Sequence, residues 1–336
     1  MHKVDLKRYE TRTDMAIDLT EKDRITYKPE TYNKNGVKIT KINLDKNNNI
    51  GKKPGNYLTL EFDDVTDDDA LKNVSLVFKE ELVSFLKQAG HTKETKTLVI
   101  GLGNAKSTPD ALGPFTSDKI IVTKHLFDMN VSVDEKLSCV SSFYPGVTGS
   151  TGIETSDLIK GIKEETNPDL IIVVDALSST SISRVNKSIQ VSDTGITPGS
   201  GIGNKRKEIS KDTLGVPVIA IGVPTVTSAS VIVSDTIGYM MKHYAYNKKL
   251  LNTKASKLIT KPVNYLNKDV PINGEDKKNL LGLVGLLSEK ELSELICEVL
   301  TPIGYNLMVT PKEVDFVIEK LSEVISYGIN HSLHEI

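Results

Sequence analysis

The sequence contains no tryptophan, only two cysteines in 336 residues, and 5% aromatic residues. So few flat side chains leave little material for stacking against bases. The 42 Lys and Arg residues nearly balance 44 Asp and Glu, a formal net charge of −2. That balance lacks the positive excess that draws a protein to nucleic acid or to an anionic membrane. Cys139 and Cys297 fit neither a CxxC nor a zinc-ligand spacing. Each stands in an apolar run, LSCVSSF and ELICEVL, as small core residues of a reducing compartment do; a Cys139 nucleophile is the lesser alternative. Histidines 2, 91, 125, 243, 331 and 334 form no HExxH pattern, and His331 and His334 fall on a terminal helix expected to fray. The N-terminal stretch MHKVDLKRYETRTDMAIDL is charged throughout and lacks the apolar centre of a secretory signal. No apolar run approaches the roughly 18 residues of a membrane span. A soluble, cytoplasmic protein is expected.

What is present is an alternation of apolar strands and amphipathic helices. Hydrophobic residues make up 38% of the chain, enough for a large core. Residues 1–35 are polar with little periodicity and read as a loosely held arm. GVKITKINL (36–44) and NYLTLEF (56–62) read as strands separated by the turn-rich DKNNNIGKKPG, and 69–89 has helical spacing. From residue 96 the pattern becomes strand (97–103), helix (114–129), strand (137–143), helix (151–165), strand (169–177), with 188–193 a further strand, then strand (216–226) and a helix after it. TLVIGLG, DLIIVVDAL and VPVIAIGVPTV are apolar on both faces, the mark of strands covered by helices on each side. The fold class is therefore α/β, a mainly parallel or mixed sheet with helices on both faces. A small N-terminal strand region precedes the core of about 96–246. The Lys/Asn-rich 247–275 reads as loop, and helices follow over about 276–336. Ser288-x-x-Glu291 and Thr310-Pro311-x-Glu313 are capping-box patterns.

Two acids occupy positions where α/β sheets gather function, outside the carboxyl ends of strands. Asp110 lies in the loop after strand 97–103, and Asp175 closes LIIVVD. Burial raises a carboxyl pKa and a second carboxylate raises it further, so such a pair can share one proton and supply both a base and an acid. The plainer alternative has Asp175 capping a turn and Asp110 in an Asx-turn after Pro109. Asp193, in Asp-Thr-Gly, matches the triplet of pepsin-like proteases, but in an α/β setting it reads as a strand-end turn.

The glycine-rich VIGLGNAKSTPDALGP (99–114) admits a phosphate cradle, yet position 106, where a dinucleotide fingerprint needs its third glycine, is Lys. PGSGIGNKRKEIS (198–210) places Gly199, Gly201 and Gly203 before Lys205-Arg206-Lys207. Its amides could nest an anion. It could equally be a solvated surface loop, or a lid beside the carboxylates.

Several long blocks resemble one family. GLGNAKSTPDALGP, PGVTGSTGIETSD (145–157), PDLIIVVDAL, IQVSDTGITPGSGIGNKRKEIS, GVPVIAIGVPTV and NLMVTPKEVD are similar to the germination proteases of spore-forming bacteria, over nearly the whole chain. The resemblance implies an endopeptidase of the spore core that degrades small acid-soluble spore proteins. It also implies a self-processing zymogen that assembles as a homotetramer, with a fold similar to hydrogenase maturation proteases. It places the catalytic acids at Asp110 and Asp175. It implies cleavage after Glu or Asp, before a hydrophobic residue followed by Ala, so that RTDMAID offers the bond Asp14–Met15, a propeptide of 1–14 and a single peptidase domain of 15–336. The family's preferred acid four positions before the cut is Thr11 here, with Glu10 one step further out. Gly199, Gly201, Gly203, Lys205 and Arg206 are the expected substrate-binding group, the last two receiving the acidic side chain because a guanidinium fork suits a carboxylate. Backbone amides of 101–104 or 199–203 are candidates for the oxyanion. No cofactor is expected. Three alternatives stay open: a metal-dependent peptidase using Asp110, Asp175 and a third ligand, a nucleotide or phosphate binder using the glycine loops, and an interaction protein with a vestigial site.

Overall fold

The computed structural model describes residues 12–21, 28–129, 132–203, 206–251, 272–300 and 307–336. Its contacts divide the chain into two compact units, Arg12–Thr227 with Thr310–Ile336, and Ser228–Val309.

The first unit is a mixed α/β structure. Its strands are β1 (Glu30–Lys34), β2 (Val37–Leu44), β3 (Gly55–Glu61), β4 (Thr97–Gly101), β5 (Val140–Phe143), β6 (Leu170–Ser178), β7 (Ser188–Ser192) and β8 (Val218–Ser228). They lie in the order β1-β2-β3-β7-β8-β6-β4-β5. The pairs β5/β4, β4/β6 and β6/β8 are parallel, whereas β8/β7, β7/β3, β3/β2 and β2/β1 are antiparallel. The carboxyl ends of β4, β6 and β8 therefore share one edge.

Alternate residues of the central strands feed two cores, as a period of two requires. Leu170, Ile172 and Val174 pack on one face with the helices Asp68–Gln88 and Val314–Leu333. Ile171 and Val173 pack on the other with Ile159 of helix Thr155–Thr166. The Asp68–Gln88 helix matches the helical spacing of 69–89, with Asp67 as its N-cap accepting from the amides of Asp69 and Ala70. It meets the terminal helix at Gly328, where an added Cβ would come within 2.3 Å of Phe78.

Some expectations are corrected. The described part of the N-terminal arm is not loose: Met15, Ala16 and Ile17 are buried with Ile42, Leu44, Tyr57 and Leu177. Burying the Met and Ile side chains is worth about 1.5–3 kcal/mol each, which outweighs the polar character of the stretch. The helix expected over 114–129 is two short helices, Leu112–Ser117 and Lys124–Asp128, because Thr123 leaves helical pairing and bonds Val140 and Ser138 beside β5. Thr310 does not cap the last helix; its hydroxyl donates to the Thr225 carbonyl, and the helix begins at Val314. His334 is not frayed but buried, its ring nitrogens facing the Ser138 amide and the Ile121 carbonyl. Cys297 is buried, while Cys139 is half-exposed.

The second unit carries the helices Ala229–Leu251, Gly274–Leu281 and Glu289–Leu300. The last has the expected box: Glu291 accepts from the Ser288 amide and hydroxyl, and its own amide donates to Ser288 Oγ. Most of the expected 247–275 loop lies outside the described residues. Among the described residues no helix is long and apolar enough to cross a membrane.

Candidate active site

The opening glycine run holds an acid at the end of β4. Gly101 is the last residue of β4 and lies in register with Val174 of β6. An added Cβ at Gly101 would meet the Gly113 carbonyl at 2.2 Å, and one at Gly103 would meet the Asp110 carbonyl at 2.0 Å. Gly103 also has φ +114°, a conformation open to glycine and strained for other residues. The loop thus folds back at backbone contact and pins the single turn Thr108–Asp110 against the strand tip. Its amides serve that fold. Leu102 donates to Val174, Asn104 to Asp110, Ser107 to Asn104 and Asp110 to Ser107. Thr225 of β8 ties the turn down by donating to the Pro109 carbonyl at 2.6 Å. A phosphate cradle needs free amides, and these four are already bonded in the fold that places Asp110.

Asp175 stands one residue past the register end of β4, on the same face as Ile171 and Val173. It is 6% exposed and accepts from the Ala176 amide at 2.9 Å. Burial pushes its carboxyl well above the ordinary carboxylate range, and the charges of Asp110 and Asp14 push it further. Burial also raises Asp110 to about 6, partly offset by the Asn104 amide. The two acids expected from the sequence are thus brought to one partly dried edge, and among the described residues neither is ion-paired to a cation.

The chain's own N-terminal segment occupies this edge. The Asp14 amide donates to the Ser178 carbonyl at 3.0 Å. The Asp14 carboxylate accepts from the Ser178 amide (2.9 Å), the Ser178 hydroxyl (3.2 Å) and the Ser200 hydroxyl (2.6 Å). Gly201 closes the pocket, since a Cβ there would lie 2.1 Å from Asp14 Oδ2 and 2.0 Å from Ser178 Oγ. Downstream, the Ala16 amide donates to Gln190 Oε1 at 2.7 Å. Asp18 is buried and ion-paired to Arg184 at 2.8 Å, with further bonds from Thr13, Ser179 and Thr180.

Of the expected binding residues, Gly201 touches the Asp14 side chain. Gly199 and Gly203 are the left-handed ends of the turn that carries Ser200. Arg206 lies against Glu154 at 3.9 Å, and Lys205 lies outside the described residues. The acidic side chain is met by neutral hydroxyl and amide donors. Asp193 is a strand-end turn, accepting from the Asn56 amide and side chain. Among the described residues no group of three His, Cys, Asp or Glu side chains is arranged to hold an ion.

Sequence reasoning did not single out Lys52, Ser178, Arg184, Gln190 or Ser200. Arg184 and Gln190 carried a weak signal, polar side chains beside apolar strand positions. Lys52, in a run of surface-like lysines and asparagines, carried none.

An α/β scaffold with two raised carboxyls beside a docked peptide bond is the equipment of a peptidase, and comparison with known proteins agrees. The family model described as germination protease matches residues 5–336. Curated germination proteases of Bacillus cereus (strain B4264) and Bacillus thuringiensis subsp. konkukian (strain 97-27) are 47% and 46% identical, each covering 98% of this chain and 95% of the relative. That of Bacillus anthracis (strain A0248) is 46% identical with the same coverage. The chain belongs to the germination protease family. Among solved structures, the [NiFe] hydrogenase maturation protease HycI of Thermococcus kodakarensis KOD1 is matched over 39% of this chain and 74% of that one, at 18% identity and a TM-score of 0.25.

Proposed function

We propose that this protein is an aspartate-dependent endopeptidase made as a zymogen, which cuts its own Asp14–Met15 bond and then small acid-soluble spore proteins during germination. Its cleavage rule is an acidic residue, then a hydrophobic residue, then Ala. The observation that carries this reading is the docking of Asp14 on β6, where its carboxylate is bonded by Ser178, three residues beyond Asp175, and by Ser200 of the glycine-rich turn. Met15 and Ala16, fully buried, supply the hydrophobic residue and the Ala.

In the productive state one proton is shared between the two acids. Asp110, raised only to about 6, is the ionised member near neutrality, and Asp175, raised further by the charges around it, keeps the proton. Asp110 takes a proton from water as the water oxygen bonds to the Asp14 carbonyl carbon. The C–N bond then breaks, and the Met15 nitrogen takes the proton held by Asp175. Titration belongs to the pair as a unit. Assembly as a homotetramer and residence in the spore core belong to the same proposal and rest on family kinship.

The test is N-terminal sequencing after mild acidification, to no lower than about pH 6 so that Asp110 stays ionised, with cleavage of an acid-site peptide in parallel. Wild type yields a chain beginning at Met15 and cuts the peptide. Folded Asp110→Asn and Asp175→Asn proteins do neither. Near-normal cleavage by either variant rejects the dyad.

A further inference from the structure

The mechanism above leaves one charge without a partner, the oxygen of the attacked carbonyl. Backbone amides are the usual donors, but around this edge that of Leu102 is bonded to Val174 of β6, and those of Asn104, Ser200 and Gly203 are bonded within their own loops. Two side chains reach the atom instead. Lys52 Nζ donates to the Asp14 carbonyl oxygen at 2.9 Å, and Gln190 Nε2 donates to the same oxygen at 3.2 Å. We propose that Lys52 and Gln190 form the oxyanion hole of this peptidase. The proposal rests on the reading that Asp14–Met15 is the bond cut.

The orientation of Gln190 is fixed by its neighbour. The Ala16 amide needs an acceptor and finds Oε1 at 2.7 Å, which turns Nε2 toward the Asp14 carbonyl. One side chain thus holds the backbone on both sides of the bond. Its place in the sheet is equally constrained. Gln190 of β7 and Asp175 of β6 both lie opposite Gly222 of β8, in one row across three strands. Residues directly opposite share a face, so donor and acid stand on the same side of the sheet, two strand spacings or about 10 Å apart between backbones. Leu177 covers Gly222 between them and packs in one cluster with Met15.

Lys52 comes from the turn before β3. Its ammonium also donates to the Thr13 carbonyl at 3.1 Å. Burial weakens its hold on the proton, while the charges of Asp14 and Asp18 oppose that loss. A partly desolvated cation on a neutral carbonyl gains most when that oxygen becomes an anion, which is the condition for lowering a barrier as well as binding a ground state.

The full-length zymogen tests this without added substrate, because the segment is already docked. At a pH no lower than about 6, where Asp110 stays ionised, the first-order rate at which Met15 becomes the N-terminus reports the chemical step. Hydrogen exchange of residues 15–20 reports docking. Lys52→Met, similar in length and lacking the donor, is expected to slow processing about 10²–10³-fold with exchange protection unchanged. Gln190→Met is expected to slow it at least tenfold, and Lys52→Arg to recover part of the rate. Processing by folded Lys52→Met within threefold of wild type overturns the proposal, as does a rate loss matched by lost protection, which marks Lys52 as a docking residue. If Lys52→Met does not fold, Gln190→Met decides by the same criteria. A wild type that never processes sinks the underlying reading, and this proposal with it. A wild type that processes while the variants match it sinks this proposal alone.

Discussion

Asp14 and Ser178 are bonded in both directions: the Asp14 amide donates to the Ser178 carbonyl at 3.0 Å, and the Ser178 amide donates to the Asp14 carboxylate at 2.9 Å. The segment is therefore held by backbone and by side chain at the tip of the strand that carries Asp175. Recognition of the acid comes from neutral donors, and that shapes what substitutions should do.

Gly201→Ala should abolish docking with little effect on the rest of the fold. The added methyl would lie 2.1 Å from Asp14 Oδ2 and 2.0 Å from Ser178 Oγ. Self-processing should fall at least tenfold, and hydrogen exchange of residues 14–18 should rise. Unchanged processing in Gly201→Ala would show that the acidic side chain is held elsewhere in the active form.

Ser200→Ala removes the shortest bond to the Asp14 carboxylate, 2.6 Å. A hydrogen bond to a charged group is worth about 1.5–3 kcal/mol, or roughly 10–100-fold. Acid-site peptides should lose that much kcat/KM, while peptides with Asn or Gln before the cut should lose less. An equal loss for both would count against this pocket.

Asp110→Asn should stabilise the protein while silencing it. Its folded pKa of about 6 stands above the ordinary 3.8, so the folded state favours the proton. That contribution is whole below the ordinary value and is lost as pH rises through about 6; above it, ionised Asp110 costs at most about 3 kcal/mol. The melting temperature of Asp110→Asn should exceed wild type at pH 7.5 and match it near pH 3.5. A variant less stable than wild type at pH 7.5 would contradict the burial account.

The pH profile of processing should be bell-shaped. The acid limb falls below about 6, as Asp110 takes up its proton. The alkaline limb follows loss of the proton from Asp175, whose pKa burial and neighbouring charges raise. A profile flat from pH 5 to 7 would exclude Asp110 as the base.

Arg184→Met should be the most damaging of these changes to stability. Arg184 is 4% exposed and pairs with Asp18, Glu21 and Glu61 at 2.8, 2.6 and 2.9 Å. Removing the cation leaves Asp18 buried without its ion-pair partner, a loss of about 3–5 kcal/mol, measurable by denaturant unfolding. Arg184→Met with Asp18→Asn should recover part of it.

The sequence by itself determined the alternation of strands and helices along the chain and the two-sided covering of the central strands, because runs such as LIIVV are apolar at every position and can be buried only between two helical layers. It also marked Asp175, which closes such a run, and Asp110, in the loop after a parallel strand, as candidates at the carboxyl edge, and the family resemblance selected them over the turn-capping alternative. Tertiary structure alone decided what faces them. Lys52 sits in a polar turn and Ser200 in a glycine loop, and nothing local separates them from solvated surface residues; they meet Asp14 only because β3, β6, β7 and β8 bring distant segments together. The N-terminal segment shows the same division. Its polar composition suggests a loose arm, but burial of Met15 and Ile17 and the bonds to Ser178, Gln190 and Arg184 depend on partners far along the chain, whose combined free energy no local pattern encodes.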